Sequence, residues 1–213
     1  MQKSEYSPVK LAIIEKYISG NKILDLGAGK LLYSTWIREK FSDSSIVAID
    51  MIEQDSLEGV EYFTADLEQK IPLDSLLFST VLAFDVIEHI SNETLFVSEI
   101  NRLLSVGGVL IGSVPHDKDL FLPEYNLTFY HRSDLTHKRY YTQESLRKTL
   151  EVAGFSGVEI FAEGGVSPHV FAEFFPESFR WLVKKMISVA LKLRFISTQR
   201  LKSDLFFVAT KQS

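Results

Sequence analysis

The stretch Ile23-Leu24-Asp25-Leu26-Gly27-Ala28-Gly29 constrains the fold of this chain more than any other. A run that is apolar at nearly every position suits a strand covered on both faces, and here it passes without a spacer into a turn built on glycine. Glycine is needed where the backbone bends tightly and a ligand approaches closely, because a Cβ would collide there or forbid positive φ. Asp50 ends the next apolar run, twenty-one residues after Gly29. At that distance nucleotide-binding α/β folds set an acid against the two hydroxyls of a ribose. Strand, turn and distant acid together point to a nucleotide-like ligand at the carboxyl end of a parallel sheet.

Further runs read as strands: Ile46 to Asp50, Val60 to Phe63, Thr80 to Phe84, Val109 to Gly112, Val158 to Phe161 and Leu205 to Thr210. Helical spacing lies between them, over Tyr33 to Phe41, over Glu93 to Leu104 with Ser91 or Asn92 as N-cap and Gly107-Gly108 as its stop, and over Gln143 to Ala153 before Gly154. Strands separated by helix-length connections imply parallel βαβ units. A length of 213 residues fits one domain, 1–213. Residues 1–20 read as a helical cover, with apolar positions at Val9, Ile13, Ile14 and Tyr17. Residues 115–141 form a polar, aromatic, His-rich connection far longer than the roughly 2–6 residues usual in α/β units, which reads as a lid and acceptor loop.

Composition removes whole classes of chemistry. Without cysteine there is no disulfide, no thiol nucleophile and no thiolate metal site. A net charge of −5 does not suit a protein that coats nucleic acid. The first residues lack the apolar core of a secretory signal, so a cytoplasmic location is expected. The greasy region from Val170 to Ile196 is broken by seven charges and does not read as a membrane span.

Leu31 stands where a dinucleotide fingerprint has its third glycine, which disfavours a pyrophosphate ligand and a nicotinamide-dependent oxidoreductase. A nucleoside without phosphates fits better. Five ordered motifs then carry a resemblance: Asp25-Leu26-Gly27-Ala28-Gly29, Asp50, Ala65-Asp66-Leu67, Phe84-Asp85-Val86-Ile87-Glu88-His89-Ile90 and Leu103-Leu104-Ser105-Val106-Gly107-Gly108. The chain resembles a class I S-adenosylmethionine-dependent methyltransferase of the small-molecule type, over about residues 20 to 162 and the final strand. The resemblance implies a Rossmann-like α/β sandwich, with a mostly parallel seven-stranded sheet, an antiparallel last strand and a helical insertion before it. It implies that Gly27, Ala28 and Gly29 pass under the methionine part of S-adenosylmethionine and that Asp25 belongs to the same cofactor site. Asp50 would hold the ribose, Met51 or Ile52 would pack on the adenine, Asp66 and the Leu67 amide would meet its edge, and Phe84 and Asp85 would border the methionine amine.

The methyl group sits on an electrophile already activated by its charge, so the protein has mainly to align a nucleophile and exclude water. A hydroxyl acceptor gains from a general base, and His89, beyond the fourth strand, is the first candidate, with His116 beyond the fifth as the second. A purely local hydrogen-bonding role for His89 is the alternative. His131, Arg139 and Tyr140 fall in the long connection, where the resemblance implies substrate contact. For Arg139 the other reading is a pin that ties the lid to a helix through a carboxylate. Asp85, Glu88 and His89 partly resemble the cation ligands of quinone-pathway relatives, but the pattern departs from theirs, and no metal is assigned.

Residues 163–203 stand where the family has only a short turn. Leu182, Val183, Met186, Ile187, Ala190 and Leu191 follow helical spacing. From 168 to 202, seven basic residues meet two acids, a local +5, so the rest of the chain carries −10. A basic amphipathic helix of this kind lies on an anionic bilayer, through 171–196, or packs on its own domain or on a second subunit. The expected activity is methyl transfer to a small molecule, glycan-, lipid- or quinone-like, at oxygen. A non-catalytic binding module is the other class left open, and nucleic acid is not an expected partner, since no added recognition domain is present.

Overall fold

Alternate residues of the central strands face opposite sides of the sheet, and both sides are apolar. In β1 (Lys22–Leu26), Leu24 and Leu26 join one core while Ile23 joins the other, and in β4 (Phe78–Phe84) Val81 and Ala83 oppose Leu82 and Phe84 in the same way. A computed structural model describes residues 6–55, 57–117, 121–122, 127–128, 134–163, 172, 175–193 and 204–212. The remaining elements are α1 (Pro8–Tyr17), α2 (Leu32–Lys40), β2 (Ser45–Asp50), β3 (Val60–Thr64), a 3-10 turn (Ile87–His89), α3 (Glu93–Leu103) and β5 (Leu104–Pro115). After them come a short ribbon, β6 (Phe121–Leu122) with β7 (Leu127–Thr128), then α4 (Gln143–Val152), β8 (Phe155–Glu163), α5 (Glu177–Lys192) and β9 (Asp204–Lys211).

The main sheet has seven strands in the order β3-β2-β1-β4-β5-β9-β8. β1 to β5 pair in parallel, and β9 runs antiparallel between β5 and β8. Strand order reverses between β1 and β4, which opens a crevice at their carboxyl ends, the place where open α/β sheets take ligands. The apolar residues of α1 and α2 pack on one face of the sheet, and those of α3 and α4 on the other.

The cap expected for α3 forms, and α4 has one that was not anticipated. Asn92 Oδ1 accepts from the Leu95 amide at the start of α3, and Thr142 forms a reciprocal capping box with Ser145 at the start of α4. The stop expected at Gly107-Gly108 comes earlier. α3 ends at Leu103 because Leu104 already pairs with Phe78 of β4, and the two glycines lie where the register jumps from Phe78↔Leu104 to Thr80↔Val109. Sheet pairing therefore ends the helix before the glycines are reached. Among the described residues no helix is long and apolar enough to cross a membrane.

Candidate active site

The turn after β1 is fixed from below. The amides of Gly27 and Ala28 both donate to the carbonyl of Ile49 on β2, at 2.8 and 3.2 Å. Gly27 has φ +67°, and a Cβ there would come within 2.4 Å of Val86 Cγ2, so β1 and the segment after β4 meet at a contact only glycine permits. Gly29, at φ +50°, faces open space. Its amide donates to Asp50 Oδ2 at 2.8 Å, while the Ile52 amide donates to Asp50 Oδ1 at 3.1 Å. Each carboxylate oxygen has two acceptor sites, so Asp50 keeps one on each oxygen.

Leu31, where the third glycine is missing, is the N-cap of α2 in the left-handed conformation, φ 57°, and makes no side-chain cap. Its side chain is buried with Ala28 and Ala48. The helix start is thus filled by an apolar side chain rather than opened to a phosphate.

Above the turn lies a pocket of about 740 Å³. Gly27, Asp50, Met51 and Ile52 line it from the ends of β1 and β2, Asp66 and Leu67 from beyond β3, and Asp85 and His89 from beyond β4. Met51 and Ile52 are exposed at its edge, and Asp66 Oδ1 accepts the Glu68 amide at 2.9 Å. Asp25 is buried and absent from the described lining of the pocket. It accepts from the Ser34 hydroxyl at 2.7 Å, and burial pushes its carboxyl up to about 6. Through that hydrogen bond Asp25 ties β1 to α2.

Asp85 is a non-glycine residue at φ +55°, a conformation that costs energy and is held by its surroundings. Its amide donates to the Ser113 carbonyl, its Oδ1 accepts from the Ser113 hydroxyl, and its Oδ2 meets the ammonium of Lys10 on α1 at 2.5 Å. Burial opposes the Lys10 charge, but Asp85, Tyr33 and Asp204 together outweigh it and the net shift is upward. The same ammonium lies 5.2 Å from the centre of the Phe84 ring and 5.7 Å from that of Tyr33.

His89 is half-buried, with Nδ1 3.0 Å from Thr136 Oγ1. The Thr136 hydroxyl donates to Asp134 Oδ1 at 2.5 Å, so its oxygen is left to accept, which assigns the proton of His89 to Nδ1 and the lone pair to Nε2. Glu88, next to it, is fully buried, and neither carboxylate oxygen has a hydrogen-bond partner among the described residues. Burial, reinforced by the charge of Asp85, pushes its carboxyl up to about 9. One donor atom each of Glu88, His89 and His137 lies within 4.8 Å of the others. All three are residue types that can ligate a metal.

The remaining expected residues are placed elsewhere. His116, Arg139 and Tyr140 are absent from the described lining of the pocket. Arg139 pairs with Glu93 Oε2 at 2.5 Å and donates to the Ser91 carbonyl, and the Tyr141 hydroxyl reaches the same Glu93 oxygen. This fastens the connection to the start of α3. The Tyr140 ring lies 6.1 Å from that of His137. His116 bridges Tyr141 at the end of β5. His131 lies outside the described residues.

The profile of a family described as a methyltransferase domain matches residues 2–160. The chain belongs to that family. With the sheet order and crevice described above, it is a class I S-adenosylmethionine-dependent methyltransferase. No curated protein sequence is significantly similar to it. Among solved structures, it resembles an S-adenosylmethionine-dependent methyltransferase from Archaeoglobus fulgidus, with 18% identity, a TM-score of 0.64 and coverage of 95% of this chain and 93% of the other. A methyltransferase structure from Bacillus halodurans shows 21% identity and a TM-score of 0.64 over 96% and 99% of the two chains. Phosphoethanolamine N-methyltransferase 2 of Haemonchus contortus, bound to S-adenosylmethionine, shows 18% identity and a TM-score of 0.64 over 96% of this chain but only 52% of its own. At these identities the likeness is one of fold.

Sequence reasoning passed over Lys10, which pairs with Asp85 of the methyltransferase's pocket, and several residues of the pocket's own lining. Lys10 has no motif and meets Asp85 only through tertiary structure. Thr136 and Lys138 line the pocket from the long connection, and Glu68 faces them from beyond β3. The Lys138 ammonium and the Ser91 amide hold the Glu68 carboxyl down at about 2. An Asp-x-Thr turn in a His-rich stretch was the one available signal, and it reads equally as an ordinary loop.

Proposed function

We propose that this methyltransferase transfers a methyl group to a hydroxyl oxygen of a small-molecule acceptor, with His89 as the general base. The observation that carries the reading is the pocket itself, where the Gly27 turn, Asp50, Asp66, Asp85 and His89 converge on one cavity of about 740 Å³. A cradle that a Cβ at Gly27 would disturb, with acceptor sites left on Asp50, fits a nucleoside whose ribose hydroxyls donate to that carboxylate. Met51 and Ile52 offer exposed apolar surface for a base, and Asp66 offers an acceptor for an exocyclic amine. S-adenosylmethionine, once bound, supplies a sulfonium methyl that needs no further activation.

The chain's own task is then positional. Nε2 of His89 would take the proton of the acceptor hydroxyl, and the bound donor would supply the methyl group to that oxygen with its sulfur as the leaving group. Asp134 and Thr136 keep the imidazole in the tautomer this needs. Leu135, almost fully exposed beside the pocket, offers apolar cover for an acceptor at its mouth.

The test is incubation with S-adenosylmethionine labelled in its methyl group and separate fractions of small molecules, lipids, protein and nucleic acid. Label should enter a small-molecule or lipid fraction as an ether methyl and be reduced at least tenfold by His89→Asn. Label on protein or nucleic acid, or on nitrogen, would contradict the proposal.

A further inference from the structure

The helix α5 displays an apolar face to solvent. Trp181 is 69% exposed and Met186 63%, and Leu182, Val189 and Leu193 are exposed with them, whereas Val183, Ile187 and Ala190, around the other side, are half-buried. At about 100° per residue, positions 182, 186, 189 and 193 share one stripe, and Trp181, Lys185 and Lys192 form its edge. A shallow groove of about 490 Å³ runs along this face. The Lys185 ammonium sits 5.1 Å from the centre of the Trp181 ring. The helix carries Arg180, Lys184, Lys185 and Lys192 against Glu177 alone, in a chain whose net charge is −5.

We infer that α5 is a docking surface for an anionic lipid bilayer. An apolar stripe edged by tryptophan and lysine matches the boundary between acyl chains and headgroups, since the stems of the lysines stay in the apolar layer while their ammonium groups reach lipid phosphate. Charge decides between this occupant and a second copy of the chain. A two-fold contact of α5 with α5 sets a surface holding four cations and one anion against itself, whereas an anionic headgroup layer complements it.

Topology gives the contact a use. Glu163, at the end of β8, and Asp204, at the start of β9, pair with each other, and Asp204 also pairs with Pro115 at the end of β5. The segment that bears α5 therefore leaves and rejoins the sheet at the end where the parallel strands open into the pocket. Docking through α5 brings this rim toward the bilayer, where a lipid-linked acceptor would be found.

The chain has two tryptophans, Trp36 and Trp181, so in Trp36→Phe the emission reports α5 alone. With vesicles of phosphatidylcholine and phosphatidylglycerol, the emission should shift to the blue and be quenched by brominated acyl chains, and added salt should weaken both effects. Binding should fall at least tenfold in Lys185→Glu/Lys192→Glu and on pure phosphatidylcholine. S-adenosylhomocysteine affinity, measured without vesicles, should be the same in every variant, so failure of the docking is separable from failure of the methyl-transfer reading. Unchanged emission with anionic vesicles, binding that ignores the charge reversal, or a concentration-dependent dimer that buries Trp181 would overturn the inference.

Discussion

The Lys10 ammonium lies 2.5 Å from Oδ2 of Asp85, so a cation from α1 already occupies the carboxylate expected to face the amine of the cofactor's methionine. Two ammonium groups at one carboxylate repel each other, and the incoming one has to share or displace the first. Lys10→Met should therefore bind S-adenosylhomocysteine about tenfold more tightly, and Asp85→Asn about tenfold more weakly, by isothermal titration. Weaker binding by Lys10→Met would mean that Lys10 serves the cofactor's carboxylate instead.

Glu88 makes stability depend on pH. Its carboxyl titrates near 4.5 when unfolded and at about 9 when folded, so between these values the native state holds a proton that the unfolded chain has lost. Stability is then greatest below the lower value and declines as pH rises, by at most about 1.4 kcal/mol per unit, until the folded group ionises. Glu88→Gln keeps the shape of the neutral acid without the proton. Urea denaturation should show the wild type losing stability relative to this variant from neutral to mildly alkaline pH; parallel curves would contradict the assignment.

The two glycines of the turn should respond differently. Gly27→Ala adds a steric clash with Val86 to an unfavourable φ and should cost about 2–4 kcal/mol, part of which Val86→Ala restores. Gly29→Ala meets open space and should cost only the conformational part, about 1–2 kcal/mol. Equal losses in thermal and urea melts would show that the contact with Val86 is not what requires glycine.

Thr136 acts through His89. Thr136→Val removes the acceptor that holds the imidazole tautomer, so kcat should fall about tenfold with KM little changed, and the alkaline-rising limb of the pH profile should move. Thr136→Ser should restore both. A loss confined to KM would place Thr136 in acceptor binding instead.

The sheet was legible because β1, β2 and β4 are buried on both faces, which leaves unbroken apolar runs, and because Asp50 and Asp85 stand at strand ends where the parallel topology fixes their direction. Lys10 was not legible, since 75 residues separate it from Asp85 and a lysine in an amphipathic helix reads as solvated. Nor was the burial of Glu88, since the short turn after β4 has no periodicity from which to read a face. Arg139 had two readings on sequence, and its contacts with Glu93 and Ser91 match the pin.

The central claim is tested most directly by titrating S-adenosylhomocysteine into the wild type and into Asp50→Ala. One site of micromolar affinity in the wild type, weakened at least a hundredfold in the variant while its fold is retained, is the predicted result. Equal affinity in the two proteins, or a preference of the wild type for a nicotinamide dinucleotide, would contradict it.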